Sequence, residues 1–477
     1  MWEDNRCCYK EETQACGPTQ LHTTLTMAAT SARAKQLLAL VALVTDASQI
    51  MIQEWAKEDS SVKAGEQDTF SSAALRNAQR TIISTCGAFT ELAQVPQKRL
   101  IEVATEFSEA RALHVVAEHR IADHLSAVDQ KLGMPISELS KETGLHPQKL
   151  SRIMRNLCSA HIFAEVREGC FSNNTVSAAL VNNEYLRAYI LVVSRESYSA
   201  SVKLPQVLAD PVKGWSTSAT CTPFQVAFGT DLAQWEWLEE GEVQPDGTVK
   251  PRPSLELFGL AMAGGDRILG TPPSYDFPWE SLGSGTLVDV GGGVGGMCMD
   301  LCKQYPLLNF VVQDRAPVIE QAYSLWEDEQ PEAFKSGRVK LMPHNLFTEN
   351  PVVGADAYVL RHIIHDWEDN RCVDILSALR PALSERSRVL IVDKVLNTTL
   401  GCPELPSAPF PLLANYGNFA RAAHELDLLM MTLFNGAERT PAEFRVLAEK
   451  AGLVVTRIWE CPGMDYITEM RLPSASQ

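Results

Sequence analysis

Apolar residues recur at steps of three and four through the first part of the chain. Over residues 36–125, the segments AKQLLALVALVTDASQIMIQEWAKE and KRLIEVATEFSEARALHVVAEHRIADHL place them on one helical face. This spacing is typical of amphipathic helices that bury one stripe against a partner surface. Residues 1–35 are polar, rich in threonine and cysteine, and follow neither a helical nor a strand period. We therefore expect residues 1–35 to form a poorly ordered extension.

Residues 135–175 have the pattern of a separate small unit. The segment PISELSKETGLHPQKLSRIMRNLCSAHIFAEVREGCFS predicts helix, turn, helix and hairpin. Ser137 and Gly144 mark the start and stop of the first helix, and Glu168-Gly169 marks the hairpin turn. This order is typical of a winged helix. Further helices follow to about residue 238, and the acidic stretch 239–253, with its glycines and prolines, predicts a solvent-exposed loop.

Beyond that loop, strand and helix patterns alternate. The strand segments are TLVDVGGG, NFVVQD, VKLMPHN, AYVLRHII and RVLIVDKVL, and LVVTRIWE with YITEM predicts a terminal hairpin. Strands so rich in Val, Leu and Ile are buried on both faces, as in a mostly parallel sheet. The predicted fold is therefore α/β, with a Rossmann-like doubly wound domain over residues 254–477 behind a helical, winged-helix domain over residues 36–238.

Size and charge exclude several classes of protein. The chain has 477 residues, enough for two or three domains, and its 45% hydrophobic content is that of a soluble globular protein. A net charge of −17 opposes binding to a phosphate backbone or an anionic membrane. The apolar run Leu37 to Val44 is broken by Asp46, well short of the roughly 20 residues of a membrane span. We therefore expect a protein that binds neither nucleic acid nor membrane.

The cysteines and the start of the chain indicate a compartment. The twelve cysteines are scattered without a CxxC pair, and MWEDNRCCYKEE lacks the positive charge that opens a secretory leader. Scattered cysteines without this framework are typical of reduced thiols. The expected location is the cytoplasm.

A glycine-rich turn follows the first strand of the predicted sheet. Asp289 lies near the end of that strand, and Gly291, Gly292 and Gly293 open the turn into a helix. Such glycines let the backbone turn sharply and approach a ligand at a helix N-terminus. The next strand ends at Asp314, whose carboxylate could accept hydrogen bonds from two ribose hydroxyls. Turn and acid together predict a ligand that contains adenosine.

Two alternatives apply to these residues. Gly291, Gly293 and Gly296 fit G-x-G-x-x-G, so a nicotinamide cofactor and a reductase activity are the sharpest competing hypothesis. A reductase would also need a Tyr/Lys or Ser/Tyr/Lys set near the sheet edge, and the sequence offers no convincing one. Asp314 could also simply cap the helix that begins near Pro317.

A histidine follows the strand AYVLRHII. His365 lies where the carboxyl end of a parallel strand meets the ligand crevice. Asp393 ends the later strand RVLIVD, and Glu438 lies in NGAERT. A carboxylate beside an imidazole fixes its tautomer and makes a neutral histidine, with a reference pKa of about 6.5, a useful general base. The acids and histidines show no HExxH-type spacing, so we expect no metal.

Several of these segments together resemble a known family. LVDVGGGVG, VVQDRAPVI, HNLF, RHIIHDW, LIVDKVL and NGAERTPAEFRVLAEKAG, in this order, resemble the class I S-adenosylmethionine-dependent small-molecule O-methyltransferases. The similarity is to the plant caffeic acid type and to fungal relatives of the sterigmatocystin and aflatoxin pathways, over residues 100–470. It implies S-adenosylmethionine as cofactor, a phenolic secondary metabolite as methyl acceptor, and a homodimer joined through the winged-helix domain.

The resemblance also implies roles for individual residues. His365 would be the general base, with Asp393 and Glu438 on either side of its imidazole. The cofactor would contact Asp289, Gly291, Gly292, Gly293, Asp314, Asn345, Leu346 and Arg361. The acceptor pocket would include Asp366, Met430, Met431, Phe434, Asn435, Phe224 and Phe228. Apolar residues at the spacing of this last set are equally typical of an ordinary core.

The chain departs from the family at three of these positions. The family usually has an acid at Asn345, a lysine at Arg361 and a glutamate at Asp393, and its segment equivalent to Asp427–Glu438 is one residue longer in the plant enzymes. The shorter Asp393 side chain predicts a looser contact with the base. None of the departures removes the base, so we expect activity on an acceptor of different geometry.

Two further functions are compatible with the same sequence. An N- or S-methyltransferase would share the scaffold and differ only in the acceptor atom. A winged-helix DNA-binding regulator is suggested by Lys149, Arg152 and Arg155 on one helix. The strongly acidic chain favours a solvated helix face for these three charges.

Overall fold

The computed structural model describes residues 31–64, 72–269, 277–461 and 465–474. Residues 1–30 of the expected extension lie outside these ranges. The amino-terminal half contains helices α1 (Ala32–Ala64), α2 (Ala73–Ala93), α3 (Pro96–Thr105), α4 (Phe107–Glu118), α5 (Ile121–Ser126), α6 (Ile136–Thr143), α7 (Pro147–Ser159), α8 (Thr175–Ala178), α9 (Glu184–Val192), α10 (Tyr198–Ser201), α11 (Leu204–Leu208), α12 (Pro223–Phe228), α13 (Gln234–Glu240) and α14 (Pro253–Leu269). Its strands are β1 (Met134–Pro135), β2 (Phe163–Arg167), β3 (Cys170–Asn173), β4 (Glu242–Val243) and β5 (Val249–Lys250).

The carboxy-terminal half contains the large sheet. Its strands are β6 (Thr286–Val290), β7 (Asn309–Asp314), β8 (Val339–Pro343), β9 (Ala357–Arg361), β10 (Arg388–Lys394), β11 (Val454–Glu460) and β12 (Asp465–Arg471). Its α-helices are α15 (Gly296–Gln304), α16 (Ala316–Glu329), α17 (Pro331–Lys335), α18 (Asp369–Leu379), α19 (Arg421–Phe434) and α20 (Pro441–Lys450). A short 3-10 turn, Ile364–Asp366, follows β9.

The first helix is longer than its apolar run suggests. Asp46 does not interrupt α1, which continues for 33 residues and packs along α2. By length and composition alone, Ala32–Ser60 could cross a membrane, and 11% of its 18-residue apolar window is buried. The helix that contains the early apolar segment is therefore longer than the sequence prediction expected, because that prediction took the run to end at Asp46.

The helix, turn, helix and hairpin expected over residues 135–175 are present as α6, α7, β2 and β3. Gly144 ends α6 with a left-handed φ of 72°, and Gly169 turns the hairpin with a φ of 68°. β3 lies between β1 and β2, and all three strands are antiparallel to their neighbours. Leu150, Met154 and Leu157 form the buried stripe of α7. The winged-helix prediction is confirmed at the level of its elements.

The basic residues of α7 face solvent. Lys149, Arg152 and Arg155 are exposed, and Arg155 forms an ion pair with Glu165 at 3.0 Å. This arrangement agrees with the solvated-face interpretation of the three charges.

The segment 239–253 differs from the predicted loop. Its strands β4 and β5 form a short exposed hairpin, and α14 starts at Pro253 and packs along α9. The hairpin forms because Asp246 and Gly247 provide a turn, with Gly247 at a φ of 83°.

The large sheet has the order β11-β12-β10-β9-β6-β7-β8. Strands β10, β9, β6, β7 and β8 are parallel, whereas β12 is antiparallel to both β10 and β11. β6, β9 and β10 are almost wholly buried, because helices cover both faces of the sheet. The predicted doubly wound sheet and terminal hairpin are confirmed. The carboxyl ends of β6, β7, β9 and β10 meet at one edge, where the candidate site lies.

Every cysteine within the described ranges is a free thiol. This agrees with the expectation of reduced cysteines.

Candidate active site

The glycine turn after β6 is held by the neighbouring strand. The backbone N–H groups of Gly291 and Gly292 both donate to the carbonyl oxygen of Gln313, at 2.8 and 3.0 Å. A Cβ at Gly291 would lie 2.6 Å from Ile363 Cδ1, and one at Gly292 would lie 2.4 Å from the carboxyl carbon of Asp289. Since real Cβ atoms do not approach other atoms so closely, a side chain at either position would have to displace Ile363 or Asp289, and Gly291 also has a left-handed φ of 74°.

Two carboxylates are joined to this turn. Asp314, at the end of β7, accepts a hydrogen bond from Gly293 N–H at 2.9 Å and another from Arg315 N–H at 2.7 Å. Asp289 is 1% exposed; one carboxyl oxygen accepts from the Cys298 thiol at 3.3 Å, and the other has no donor among the described residues. Burial raises the pKa of Asp289 to about 6, although Cys298 and the charge of Arg361 oppose the rise.

The remaining predicted cofactor residues surround the same edge. Leu346 lies beside Gly291, with its Cδ2 3.8 Å from the position of a Cβ there. Asn345 is exposed and uses its side-chain oxygen to accept from Phe347 N–H at 3.1 Å, so it shapes the loop after β8. Arg361 ends β9, on the strand next to β6.

This arrangement fits the expected cofactor. The unpartnered oxygen of Asp289 can accept from the amino group of the methionine part of S-adenosylmethionine. Asp314 lies at the position where a carboxylate can accept from ribose hydroxyls, and the cradle without Cβ atoms lets a ligand approach the backbone.

His365 is paired with Glu438. The two residues are 73 positions apart in sequence, and His365 Nδ1 lies 2.7 Å from Glu438 Oε1. His365 is 8% exposed and Glu438 is 3% exposed. A carboxylate on Nδ1 favours the tautomer with its proton there, which leaves the lone pair of Nε2 to accept a proton.

Three carboxylates surround this imidazole. Asp366 Oδ1 lies 3.5 Å from His365 Nε2, and Asp393 and Glu438 complete the set. Burial lowers the pKa of His365, but Asp366, Asp393 and Glu438 more than offset this and raise it to about 10. The sequence alone predicted an imidazole near its reference pKa of about 6.5. The structure therefore shows a stronger base than the sequence predicts.

The two aspartates of this set are themselves perturbed. Burial raises the pKa of Asp366 to about 6, and the charge of His365 opposes the rise. Burial also raises the pKa of Asp393 well above its usual value, with His365 again opposing and nearby carboxylates adding to the rise. The charge of His365 therefore opposes the effect of burial at both aspartates.

The loop Gly436–Arg439 forms hydrogen bonds with the segment that contains His365. Ala437 N–H donates to the carbonyl oxygen of His365 at 2.9 Å. Arg439 is 2% exposed and donates to the carbonyl oxygens of Ile364 at 2.9 Å and Trp367 at 2.7 Å, on both sides of His365. Arg439 was not predicted from the sequence, because its partners lie about 70 residues away.

A second polar group lies beside the base. The ring centroids of His362 and His365 are 5.4 Å apart, and His362 Nε2 lies 3.7 Å from Asp465 Oδ2. Asp465 also pairs with Lys394. His362 was also missed, although the H-x-x-H spacing of RHIIHDW was a visible signal. Burial would raise the pKa of Asp465, but His362 and Lys394 lower it to about 2.

The predicted acceptor-pocket residues divide into two groups. Met430, Phe434, Phe224 and Phe228 belong to one apolar cluster formed by α12, α13 and α19. Phe224 and Phe228 have ring centroids 4.7 Å apart, and Phe434 stacks on Trp235 at 5.3 Å. These contacts are those of a packed aromatic cluster.

Asn435 and Met431 lie differently. Asn435 ends α19 at a φ of 54°, and its side-chain amide donates to the carbonyl oxygens of Ser216, Ser218 and Cys221. The amide nitrogen therefore anchors the loop before α12. Met431 is half-buried on α19.

Comparisons with known proteins agree with this geometry. Residues 277–454 match the model of the O-methyltransferase domain, and residues 101–183 match that of the O-methyltransferase dimerisation domain. The O-methyltransferase gedA of Aspergillus terreus is 46% identical over 459 residues, which cover 90% of this chain and 94% of that protein.

Two solved structures are also similar. The mitomycin 7-O-methyltransferase MmcR is 26% identical, with a TM-score of 0.60 over 79% of this chain and 98% of its own. CalO1, a methyltransferase of calicheamicin biosynthesis in its SAH-bound form, is 27% identical, with a TM-score of 0.59 over the same shares. These matches favour O-methylation over the reductase and the N- or S-methyltransferase alternatives. The chain belongs to the S-adenosylmethionine-dependent O-methyltransferases.

Proposed function

We propose that His365 is the general base that deprotonates a phenolic hydroxyl of a small secondary metabolite. The observation that carries this proposal is the buried pair of His365 Nδ1 and Glu438 Oε1 at 2.7 Å, beside Asp393 at the end of β10. A base must reach the proton that it removes, and the ligand-facing edge of a parallel sheet is where an acceptor would lie.

The glycine turn and the His365 cluster would have different roles in the reaction. When bound, S-adenosylmethionine supplies an electrophilic methyl group on a sulfonium. Asp289, Asp314, Arg361, Leu346, Asn345 and the three glycines would hold and orient it. His365 Nε2 takes the phenol proton as the oxygen attacks, and Asp366, Asp393 and Glu438 stabilise the imidazolium that results. Holding the reactants in line contributes most of the remaining rate enhancement.

A phenol is the acceptor that matches this base. The pKa of an ordinary phenol is about 10, close to the value of about 10 for His365. Proton transfer between groups of equal pKa costs little free energy, whereas an unactivated alcohol would hold its proton far more strongly. The apolar cluster that contains Phe224, Phe228, Phe434 and Met430 would border the acceptor ring.

The pH dependence of kcat/KM tests the state of the base. Neutral imidazole is the active form, and it is populated only as pH rises toward about 10, so kcat/KM should increase with pH through the neutral range. Glu438→Gln removes one charge that raises the pKa of His365. The rise of kcat/KM with pH should therefore occur at lower pH in this variant, and the maximal kcat/KM should be lower. Steady-state rates across pH for both proteins measure this. An unshifted rise would contradict a direct role of Glu438.

The ribose contact is tested by Asp314→Ala. This change removes an acceptor that also holds Gly293 N–H, so the dissociation constant for S-adenosylmethionine should rise about tenfold, or by about 1.4 kcal/mol. Calorimetric titration measures it. Asp328→Ala, at an acid near the end of α16, serves as the matched control. Equal affinity of both variants for S-adenosylmethionine would contradict a contact between Asp314 and the cofactor.

We propose further that the chain acts in the cytoplasm as a homodimer, without nucleic acid or membrane partners. The match of residues 101–183 to the dimerisation domain supports self-association, and the net charge of −17 disfavours anionic surfaces. The division into residues 36–238 for dimerisation and 254–477 for catalysis is part of the same proposal.

A further inference from the structure

Three side chains beside the candidate base form a group with the composition of a metal site. One ring nitrogen each of His362 and His365, and one carboxylate oxygen of Asp393, lie within 4.8 Å of one another. His362 and His365 flank the turn after β9, and Asp393 ends the adjacent strand β10. Two imidazoles and a carboxylate are a common ligand set for divalent transition-metal ions.

Asp393 provides the independent observation. It is 1% exposed, and neither of its carboxyl oxygens has a hydrogen-bond partner within the described part of the chain. Burying a carboxylate without such partners is costly, whereas a coordinated cation would satisfy it. Both oxygens are therefore available to a ligand between the two histidines.

Each histidine also has a carboxylate near one of its ring nitrogens. Glu438 holds Nδ1 of His365 at 2.7 Å, and Asp465 lies 3.7 Å from Nε2 of His362. Metal-bound histidines in proteins usually have a carboxylate or carbonyl on the second ring nitrogen, which orients the ring. The same carboxylates attract a dication to the site.

The site is nearly closed around a metal and is reachable from solvent. Ligand atoms at about 2.1 Å from a tetrahedral zinc ion lie about 3.4 Å from one another. The three atoms here lie within 4.8 Å of one another, so the distance between any two of them needs to shorten by about 1.4 Å at most. Side-chain rotation can supply this distance. The side chain of His362 is 35% exposed, which gives an ion a route to the buried pair.

We propose that His362, His365 and Asp393 bind a zinc-like divalent ion, and that this ion inhibits the enzyme by occupying the nitrogen that would accept the phenol proton. The inhibitory part rests on the proposed role of His365 as base. The binding part does not. His362 then has the role of a ligand that adjusts the sensitivity of the enzyme to transition metals, and the methyl-transfer reaction itself needs no ion there.

Metal binding is tested on the full-length enzyme after chelator treatment. ZnCl2 is titrated calorimetrically in the presence of S-adenosylhomocysteine, which lacks the positive sulfonium. His362→Gln and Asp393→Asn should each weaken the site by about tenfold or more, whereas His344→Gln, a half-buried histidine outside the group, should leave it unchanged. Wild-type affinity of each variant for S-adenosylhomocysteine shows that it is folded.

The absorption spectrum of bound Co²⁺ identifies the ligand atoms at the site. Co²⁺ in a nitrogen and oxygen site shows visible d–d bands without the thiolate charge-transfer band expected at cysteines, and these bands should disappear in His362→Gln. Zinc binding of equal strength in the wild type and both variants, or no binding at all, would overturn the proposal.

Inhibition is measured separately with a phenol that the enzyme methylates. Zinc at saturation should lower the wild-type rate at least tenfold and leave the rate of His362→Gln near its own metal-free value. An unchanged or increased wild-type rate with the site filled would overturn the inhibitory part. Failure of His365 as base would appear differently, as methyl transfer retained in metal-free His365→Ala, and the zinc titration requires no turnover.

Discussion

His365→Ala is expected to lower kcat/KM for methyl transfer by about 10²- to 10⁴-fold, the usual contribution of a positioned general base. Affinity for S-adenosylmethionine should remain nearly unchanged, because the described contacts of the glycine turn and Asp314 do not involve the imidazole. Single-turnover rates and calorimetric titration measure the two quantities independently.

A matched control separates loss of the base from loss of folding. His146 is exposed before α7, and His146→Ala should retain full activity. If His365→Ala bound the cofactor poorly, the residue would be structural. If it bound the cofactor and still transferred methyl at the wild-type rate, the base would lie elsewhere.

Gly436→Ala is expected to lower the rate by about 10²-fold, although the residue carries no reactive group. A Cβ at Gly436 would lie 2.1 Å from the carbonyl oxygen of His365 and 2.8 Å from the carbonyl carbon of Asp366. These are backbone atoms, so the base or the loop that carries Glu438 must move. A shift of about 1 Å in a catalytic group can cost about 10²-fold in rate.

The control for Gly436→Ala is Gly259→Ala. Gly259 lies within α14, and a Cβ there meets no atom within 4 Å, so alanine should leave the rate unchanged and stabilise the helix by up to about 1 kcal/mol. Rates and thermal unfolding of both variants give the comparison. A normal rate for Gly436→Ala would show that the loop Gly436–Arg439 can shift without displacing His365.

The order of elements in the catalytic half was predictable, because it depends on local patterns. Apolar runs that alternate with helical periods require a covered parallel sheet, and the glycines after β6 and the acid after β7 follow directly from strand ends. His365 and Asp393 were predicted to lie near each other because the ends of parallel strands converge at one edge. Glu438 lies in a loop between two helices, and its place beside the imidazole was implied by the family resemblance.

The surroundings of these residues were not predictable in the same way. Arg439 and Gly436 contact the segment around His365 across about 70 residues, and the amide of Asn435 contacts a loop more than 200 residues earlier. The hairpin within residues 239–253 depends on one short turn inside a polar stretch. Periodicity carries no information about such pairs, because they depend on how loops cross after the sheet has formed.

The sequence by itself determined the fold class, the ligand-binding edge and the identity of the candidate base, because each depends on strand ends and on residue types at fixed offsets. Only the tertiary structure decided how strong that base is and what holds it. Burial removes water from His365 while three carboxylates from β10 and from two separate loops surround it, and the balance of these opposing effects depends on distances that exist only in the folded chain.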